Sequence, residues 1–467
     1  MEERHVPRGG LTCPLSRRRF LTAASAGALG VLAPAGLFQG CARADKLRIR
    51  IVYALHAVVQ PGPDWPNVGF DFQPVMDRTT TALTKAFPRW EFTTAMAKDP
   101  EEAQKVLDED AAAPLDGYVV MQLNCWNRVV QTIAGSGRPT LYVDFQYAGS
   151  GGFLVYTADF LRKGTGNLGF VASSRPEDLV AACRAFGEVK RSGTADAFGA
   201  LVASTRRAST PGPGDLSVRP DDLTILAPGD CLRAMKESKI LAVGGSWPGI
   251  APAIMAEMGI EVVEVPFAEV NEAWAAADKD ESEAIADRWE RTASRIEGVD
   301  RATLVTSAAM SLGQKAVLRK HRANAITINC LGGFYGGHIH AYPCLGFHEL
   351  NNEGLVGACE CDLRSTATMV TMTAMTGGRP GYISDPVIDT ALRQIIYAHC
   401  VASNRVFGPS GPTNPFEILT HSEDRQGASV RSVLPLGYMT TTLEFDNGRR
   451  EVLFHQGKAV ANDPDDR

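Results

Sequence analysis

From Lys46 onward the chain exchanges short apolar runs with amphipathic stretches at a regular pace, and this alternation limits the possible folds more than any other feature. Residues 47–52, Leu-Arg-Ile-Arg-Ile-Val, alternate as a half-buried strand does. Residues 79–87 read as part of a helix, and residues 90–94 as the next strand. Residues 117–123 and 139–144 are continuous apolar runs of the kind buried on both faces of a parallel sheet. Strand, helix, strand in this order predicts a doubly wound α/β unit. The stretch 203–222, with its Pro-Gly-Pro-Gly, reads as an exposed connection. A second unit follows: a strand at 240–245 entering a glycine turn, a helix at 251–258 and a strand at 260–265. A charged run at 271–297 reads as one solvated helix, followed by a helix at 302–321 and a strand at 325–330. The expected organisation is α/β: a leader and linker at 1–45, two doubly wound α/β domains at 46–205 and 206–330, and a C-terminal domain at 331–467 with antiparallel β strands. At roughly 100–200 residues per domain, 467 residues accommodate this.

The first residues have a different character. Ser16-Arg17-Arg18-Arg19-Phe20-Leu21 precedes an uncharged, Ala/Gly-rich stretch at 21–38. Basic, then apolar, then small is the order of an export signal, and the arginine pair before Phe-Leu matches the twin-arginine signature. A membrane anchor is the alternative, but Pro34 and Gly27, Gly30 and Gly36 weaken a helix there. The expected location is the periplasm or cell envelope. Cys41 follows an imperfect lipoprotein box, so a lipid anchor at Cys41 and an incidental cysteine both stand. Losing residues 1–40 removes five arginines and two glutamates and moves the net charge from -6 to about -9. That balance argues against nucleic acid as a partner. Eight cysteines lie beyond Cys41, scattered and without a CxxC. They read as small buried hydrophobes, and a passenger that crosses the membrane folded can receive its metal beforehand.

The chemistry gathers in the third segment, where five of the nine histidines fall within residues 332–427: His338, His340, His348, His399 and His421. Residues 355–362 read as a strand ending in two acids, followed by a helix at 365–375. Strand ends face the ligand crevice of an α/β sheet, and residues two apart on a strand point the same way. Glu360 and Asp362 would then present paired oxygens; otherwise one caps the helix and the other is solvated. Imidazoles with carboxylates suit a divalent metal such as Mn or Zn. His399 ends an apolar stretch, and His421 sits in a polar loop at 420–427. Trp126, with Asn124 and Arg128 beside it, offers an aromatic face for a sugar ring, although an isolated tryptophan is more often core. Arg425 and Arg431 are candidates to hold a substrate oxygen, surface charge being the alternative. Gly244-Gly245-Ser246 lacks a full phosphate-loop pattern and reads as a simple turn.

These motifs taken together, Pro343-Cys344, Asn351-Asn352-Glu353-Gly354, Cys359-Glu360-Cys361-Asp362, Thr376-Gly377-Gly378, Asp385, His399-Cys400 and His421-Ser422-Glu423-Asp424, resemble the L-fucose/L-arabinose isomerase-like superfamily, in its shorter branch. The resemblance implies a Mn(II)-dependent aldose-ketose isomerase, with proton transfer between C1 and C2 of a small-molecule sugar through an enediolate. It further implies Asp362 and His421 as metal ligands with His338 and His399 as further candidates, Glu360 and Asp362 as catalytic acids, Asp385 at the substrate, and a homo-oligomer. One departure bears on activity. Where the family places a second metal-binding Glu after the strand at 325–330, the loop 331–340 carries no acid, only His338 and His340. Export is a second departure. A cell-envelope sugar-binding protein that keeps the fold without turnover is therefore the competing reading, and a two-lobed solute receptor a remote third that leaves the histidines unexplained.

Overall fold

The computed structural model describes residues 46–112 and 115–463. The expected twin-arginine segment and Cys41 lie outside the described residues. Five parallel strands open the described chain: β1 (Arg48–Ala54), β2 (Glu91–Ala97), β3 (Gly117–Gln122), β4 (Thr140–Asp144) and β5 (Leu168–Val171), in spatial order β2-β1-β3-β4-β5. Alternate residues feed opposite faces. Ile49, Ile51, Tyr53, Val119 and Met121 belong to one core, and Val52, Ala54, Tyr118 and Val120 to the other. Every residue of β3 and β4 is buried, as their central apolar runs require, with Gln122, Thr140 and Asp144 buried at the strand ends.

A second parallel sheet contains β6 (Lys239–Val243), β7 (Glu261–Val265), β9 (Ala325–Ile328) and β10 (Val356–Cys359) in the order β10-β9-β6-β7. In both sheets the first strand is flanked by the second on one side and the third on the other. Both therefore have a switch in winding direction, beside β1/β3 and beside β6/β9, where helices leave to opposite faces and the strand ends open a crevice. Three further strand groups complete the described chain. β8 (Arg295–Glu297) joins β13 (Phe416–Leu419) and β14 (Ser429–Ser432); β11 (Asp385–Asp389) pairs antiparallel with β12 (Gln394–Ala398); β15 (Met439–Asp446) pairs antiparallel with β16 (Glu451–Lys458). The protein is thus α/β, with two parallel-sheet units and an antiparallel C-terminal region. Among the described residues no helix is long and apolar enough to cross a membrane.

The connection expected at 203–222 begins only after the helix Phe198–Ser209, and two further boundaries differ from the sequence expectation for local reasons. The charged run 271–297 is not one helix. A helix ends at Ala275, and Asp278 starts another, Lys279–Thr292, by accepting a hydrogen bond from the Glu281 amide. The strand expected through residue 362 stops at Cys359. Glu360 and Cys361 take left-handed backbone (φ +66° and +51°), and Asp362 caps the helix Leu363–Met375.

The β11–β12 hairpin is pinned to the end of the first sheet. Asp389, 2 % exposed, accepts hydrogen bonds from the Ser174 amide (3.0 Å) and hydroxyl (2.7 Å) and from the Ala391 amide (3.0 Å). Gln146 Nε2 donates to the Ile388 carbonyl, and the Thr390 amide to the Ala172 carbonyl. Asp389→Ala orphans several of these donors. It is expected to lower stability by about 1–3 kcal/mol in urea denaturation, with loss of amide-exchange protection centred on residues 385–398; unchanged protection there would refute this role.

Candidate metal centre

Strand ends supply most of the site. The β1 end leads into a loop held by Asn124 just past β3. Asn124 is fully buried, accepts from the His56 amide (3.0 Å), and donates to Gln60 Oε1 (3.0 Å) and the Trp65 carbonyl (3.1 Å). This loop carries Asp64, which His56 Nε2 meets at 3.0 Å. Trp126, also past β3, has φ +61° and is 62 % exposed. Left-handed backbone is unusual for side chains with a Cβ. Here it recurs at Trp126, Arg128, Tyr147, Glu360, Cys361 and Arg425, on connections that leave strand ends or enter the 420–427 loop.

The β11–β12 hairpin brings the next groups. Its register sets Asp385 opposite Ala398, so His399 emerges beside Asp385. His399 Nε2 lies 3.7 Å from Glu360 Oε1 and 3.9 Å from Asp385 Oδ2. The ligand atoms of these three residues all fall within 4.8 Å of one another. The imidazole is nearly enclosed while the acids open to solvent, Asp385 with 60 % of its side chain exposed. Desolvation in the crevice still pushes the Asp385 carboxyl up against the opposing pull of His399, and the Glu360, Cys400 and Asp362 charges push it further. Burial disfavours a charged His399, yet Cys400, Glu360 and Asp385 outweigh it and hold its pKa well above the ordinary value. More negative charge is gathered here than these residues neutralise, and two carboxylates with an imidazole form a donor set suited to Mn(II) or Zn(II).

His421 is seated separately. It is 6 % exposed, between the rings of Phe334 (6.0 Å) and Tyr342 (5.7 Å), with Nδ1 3.4 Å from Asp424 Oδ1. The Tyr342 hydroxyl also donates to Asp424. Burial opposes protonation of His421, but the nearby Asp424 carboxylate and the charges of Cys400 and Glu423 prevail, raising its pKa to about 9. Beside it Glu423 accepts from the Tyr335 hydroxyl at 2.7 Å. Its carboxyl is pushed up by burial and by Asp64 and Glu360, against the pull of Tyr335 and His421.

Not every expected residue joins the cluster. Asp362 accepts from the Arg364 and Ser365 amides (both 3.1 Å) and from the Ser365 hydroxyl (2.6 Å), so its oxygens serve the helix start. It is near enough to act on Asp385 electrostatically. Pairing of Glu360 with Asp362 by strand alternation is overturned, because the strand ends before either. His338 is exposed and stacks on Phe267 at 5.6 Å. Arg425 Nη2 donates to Asn67 Oδ1 at 3.0 Å, tying its loop to the one after β1. Sequence reasoning missed Asp64, which lies in a loop without periodicity. It also missed the convergence of sulfurs behind His399: all eight cysteines beyond Cys41 are free thiols, and Cys359 and Cys400 meet with their sulfurs 3.8 Å apart.

No family model matches the chain. A stretch of 218 residues is 22% identical to sulfoquinovose isomerase of Priestia aryabhattai, covering 45% of this chain and 48% of that protein, and the Priestia megaterium protein of the same name matches equally. A stretch of 104 residues is 25% identical to sulfoquinovose isomerase of Alkalicoccus urumqiensis, 22% of this chain and 23% of that protein. The chain spans about half the length of the two Priestia relatives. Among solved structures, a sugar-binding protein of an ABC transporter from Bacillus halodurans shares 10% identity over 76% of this chain and 97% of its own, with a TM-score of 0.19. A solute-binding protein from Bacillus halodurans C-125 with bound myo-inositol shares 11% over 76% and 96%, with a TM-score of 0.20. Likeness at that level carries no argument.

The His421 pair has a measurable signature. Its folded pKa of about 9 exceeds the unfolded value of about 6.5, so its contribution to stability is complete below that pH and lost as pH rises through 9. In metal-free protein the His421 ring resonances are expected to titrate near 9, and Asp424→Asn to bring the midpoint down. An ordinary midpoint in the wild type would exclude the ion pair.

Proposed function

We propose that the chain is an exported, divalent-metal-dependent sugar isomerase, which moves a proton between C1 and C2 of an open-chain aldose. The observation that carries this is the convergence of Glu360, Asp385 and His399 within 4.8 Å of one another. The motif resemblance and the weak similarity to sulfoquinovose isomerases support it. Glu360, Asp385 and His399 Nε2 would hold the ion, Mn(II) by its taste for oxygen and imidazole. Bound there, it would acidify the sugar C–H between O1 and O2 by drawing electron density from those oxygens.

The remaining groups handle the substrate. Glu423 is the carboxylate to carry the proton, since its raised pKa brings it nearer the working pH of an acid-base catalyst, and Tyr335 fixes one of its oxygens. The His421 imidazolium, oriented by Asp424, supplies positive charge for sugar oxygens, and the exposed Trp126 face stacks on the ring or chain. Asp362 acts indirectly, fixing the turn from which Glu360 projects. Arg17 and Arg18 with the apolar stretch 21–38 would direct export to the periplasm.

One observation favours a second reading, a sugar-binding protein without turnover: the chain after β9, a short helix Cys330–Tyr335 and the loop to His340, offers no acid. Heavy water separates the two. Mn-loaded protein incubated with sulfoquinovose and a panel of aldoses is expected to place deuterium at C2 or C1. Glu360→Gln is expected to weaken Mn binding by roughly 10–100-fold and to lose exchange with it. Sugar binding without exchange would establish the second reading, and failure of the wild type to take up Mn would sink the first.

A further inference from the structure

Behind the carboxylates, His399 turns its other nitrogen to sulfur. Nδ1 lies 3.4 Å from Cys400 Sγ, and Cys400 Sγ lies 3.8 Å from Cys359 Sγ. The ligand atoms of Cys359, His399 and Cys400 all lie within 4.8 Å of one another. A tetrahedral zinc ion with bonds of about 2.3 Å to sulfur and about 2.0–2.1 Å to nitrogen spaces its sulfurs about 3.8 Å apart, and sulfur from nitrogen about 3.6 Å. Two edges of that tetrahedron are thus already built. Cys344, the first residue of the helix Cys344–Asn352, adjoins the Cys400 sulfur and is the nearby thiol that could close the set. Cys359 and Cys344 are each 1 % exposed. Buried thiols pack well against aliphatic neighbours, and nothing in core packing calls for two of them, drawn from a strand end and the residue after a hairpin, to converge on one imidazole.

We propose that Cys359, Cys400, Cys344 and His399 Nδ1 form a second metal site, for a thiophilic ion of the zinc class. Soft thiolates select against the oxygen-loving ion assigned to the carboxylates, so the two sites differ in chemistry although they share one ring. Metal at Nδ1 leaves Nε2 turned toward Glu360 and Asp385, so that with both sites filled the ring would bridge the two ions as imidazolate. Binding displaces the thiol protons of the coordinating cysteines and the Nδ1 proton of His399 to solvent and changes no oxidation state.

The test uses the full chain, purified reduced and loaded with Co(II) as a spectroscopic probe and with Zn(II) for stoichiometry. The wild type is expected to show thiolate-to-cobalt charge-transfer absorption and to hold one Zn(II) that a thiol-modifying reagent releases. Cys359→Ser with Cys400→Ser is expected to abolish the absorption, whereas Cys183→Ser, altering a buried thiol in the first sheet's core, retains it. Glu360→Gln is expected to retain it too, which separates this site from the isomerase reading. Circular dichroism establishes that each variant is folded. Absence of the absorption in folded wild type, its persistence in the double serine variant, or recovery of Cys359 and Cys400 as a disulfide from protein trapped with alkylating reagent would each overturn the proposal; the wild-type spectrum decides even if the double variant does not fold.

Discussion

The site depends on one buried carboxylate that never meets a substrate. Asp389 joins a hairpin to the end of a sheet 215 residues earlier in the chain, through the amide and hydroxyl of Ser174. A carboxylate removed from water is tolerated only where donors surround it, and here they come from both partners of the joint. The docking therefore has one geometry rather than many. Asp385 and His399, at the two open ends of that hairpin, are delivered to Glu360, which comes from the other sheet.

What gathers at that junction is charge under partial desolvation. The Asp385 and Glu423 carboxyls are both pushed up by burial, and Glu360 adds repulsion to each. The two imidazoles are pushed up as well, by the acids beside them and by Cys400, whose own pKa is held well down by hydrogen bonds from Cys344 and Cys359 and by the His399 charge. Burial thus favours the neutral form of these acids, while the negative charge around the imidazoles favours their charged form.

Much of this was legible beforehand, and the limits have physical causes. The strands at 117–123, 139–144 and 325–330 were readable because a strand covered on both faces must be apolar throughout. The motif resemblance singled out His399, Glu360 and Asp385 in separate roles, but their meeting was not legible, since neither periodicity nor spacing says which way a hairpin docks. The orientation of Asp362 escaped because alternation fails once the backbone turns left-handed at Glu360, and cap and strand-end residues look alike in one dimension. Asp64 was invisible in a loop ordered by Asn124 from elsewhere. Cysteines at 344, 359 and 400 read as scattered because closeness between elements leaves no trace in sequence spacing.

The His399 ring has oxygen chemistry on one nitrogen and sulfur chemistry on the other. An imidazole is a conjugated conductor of protons: what one edge loses, the other edge registers. Alkylating Cys400 at its inner edge would therefore be read at the mouth of the crevice, on the edge that faces Glu360 and Asp385.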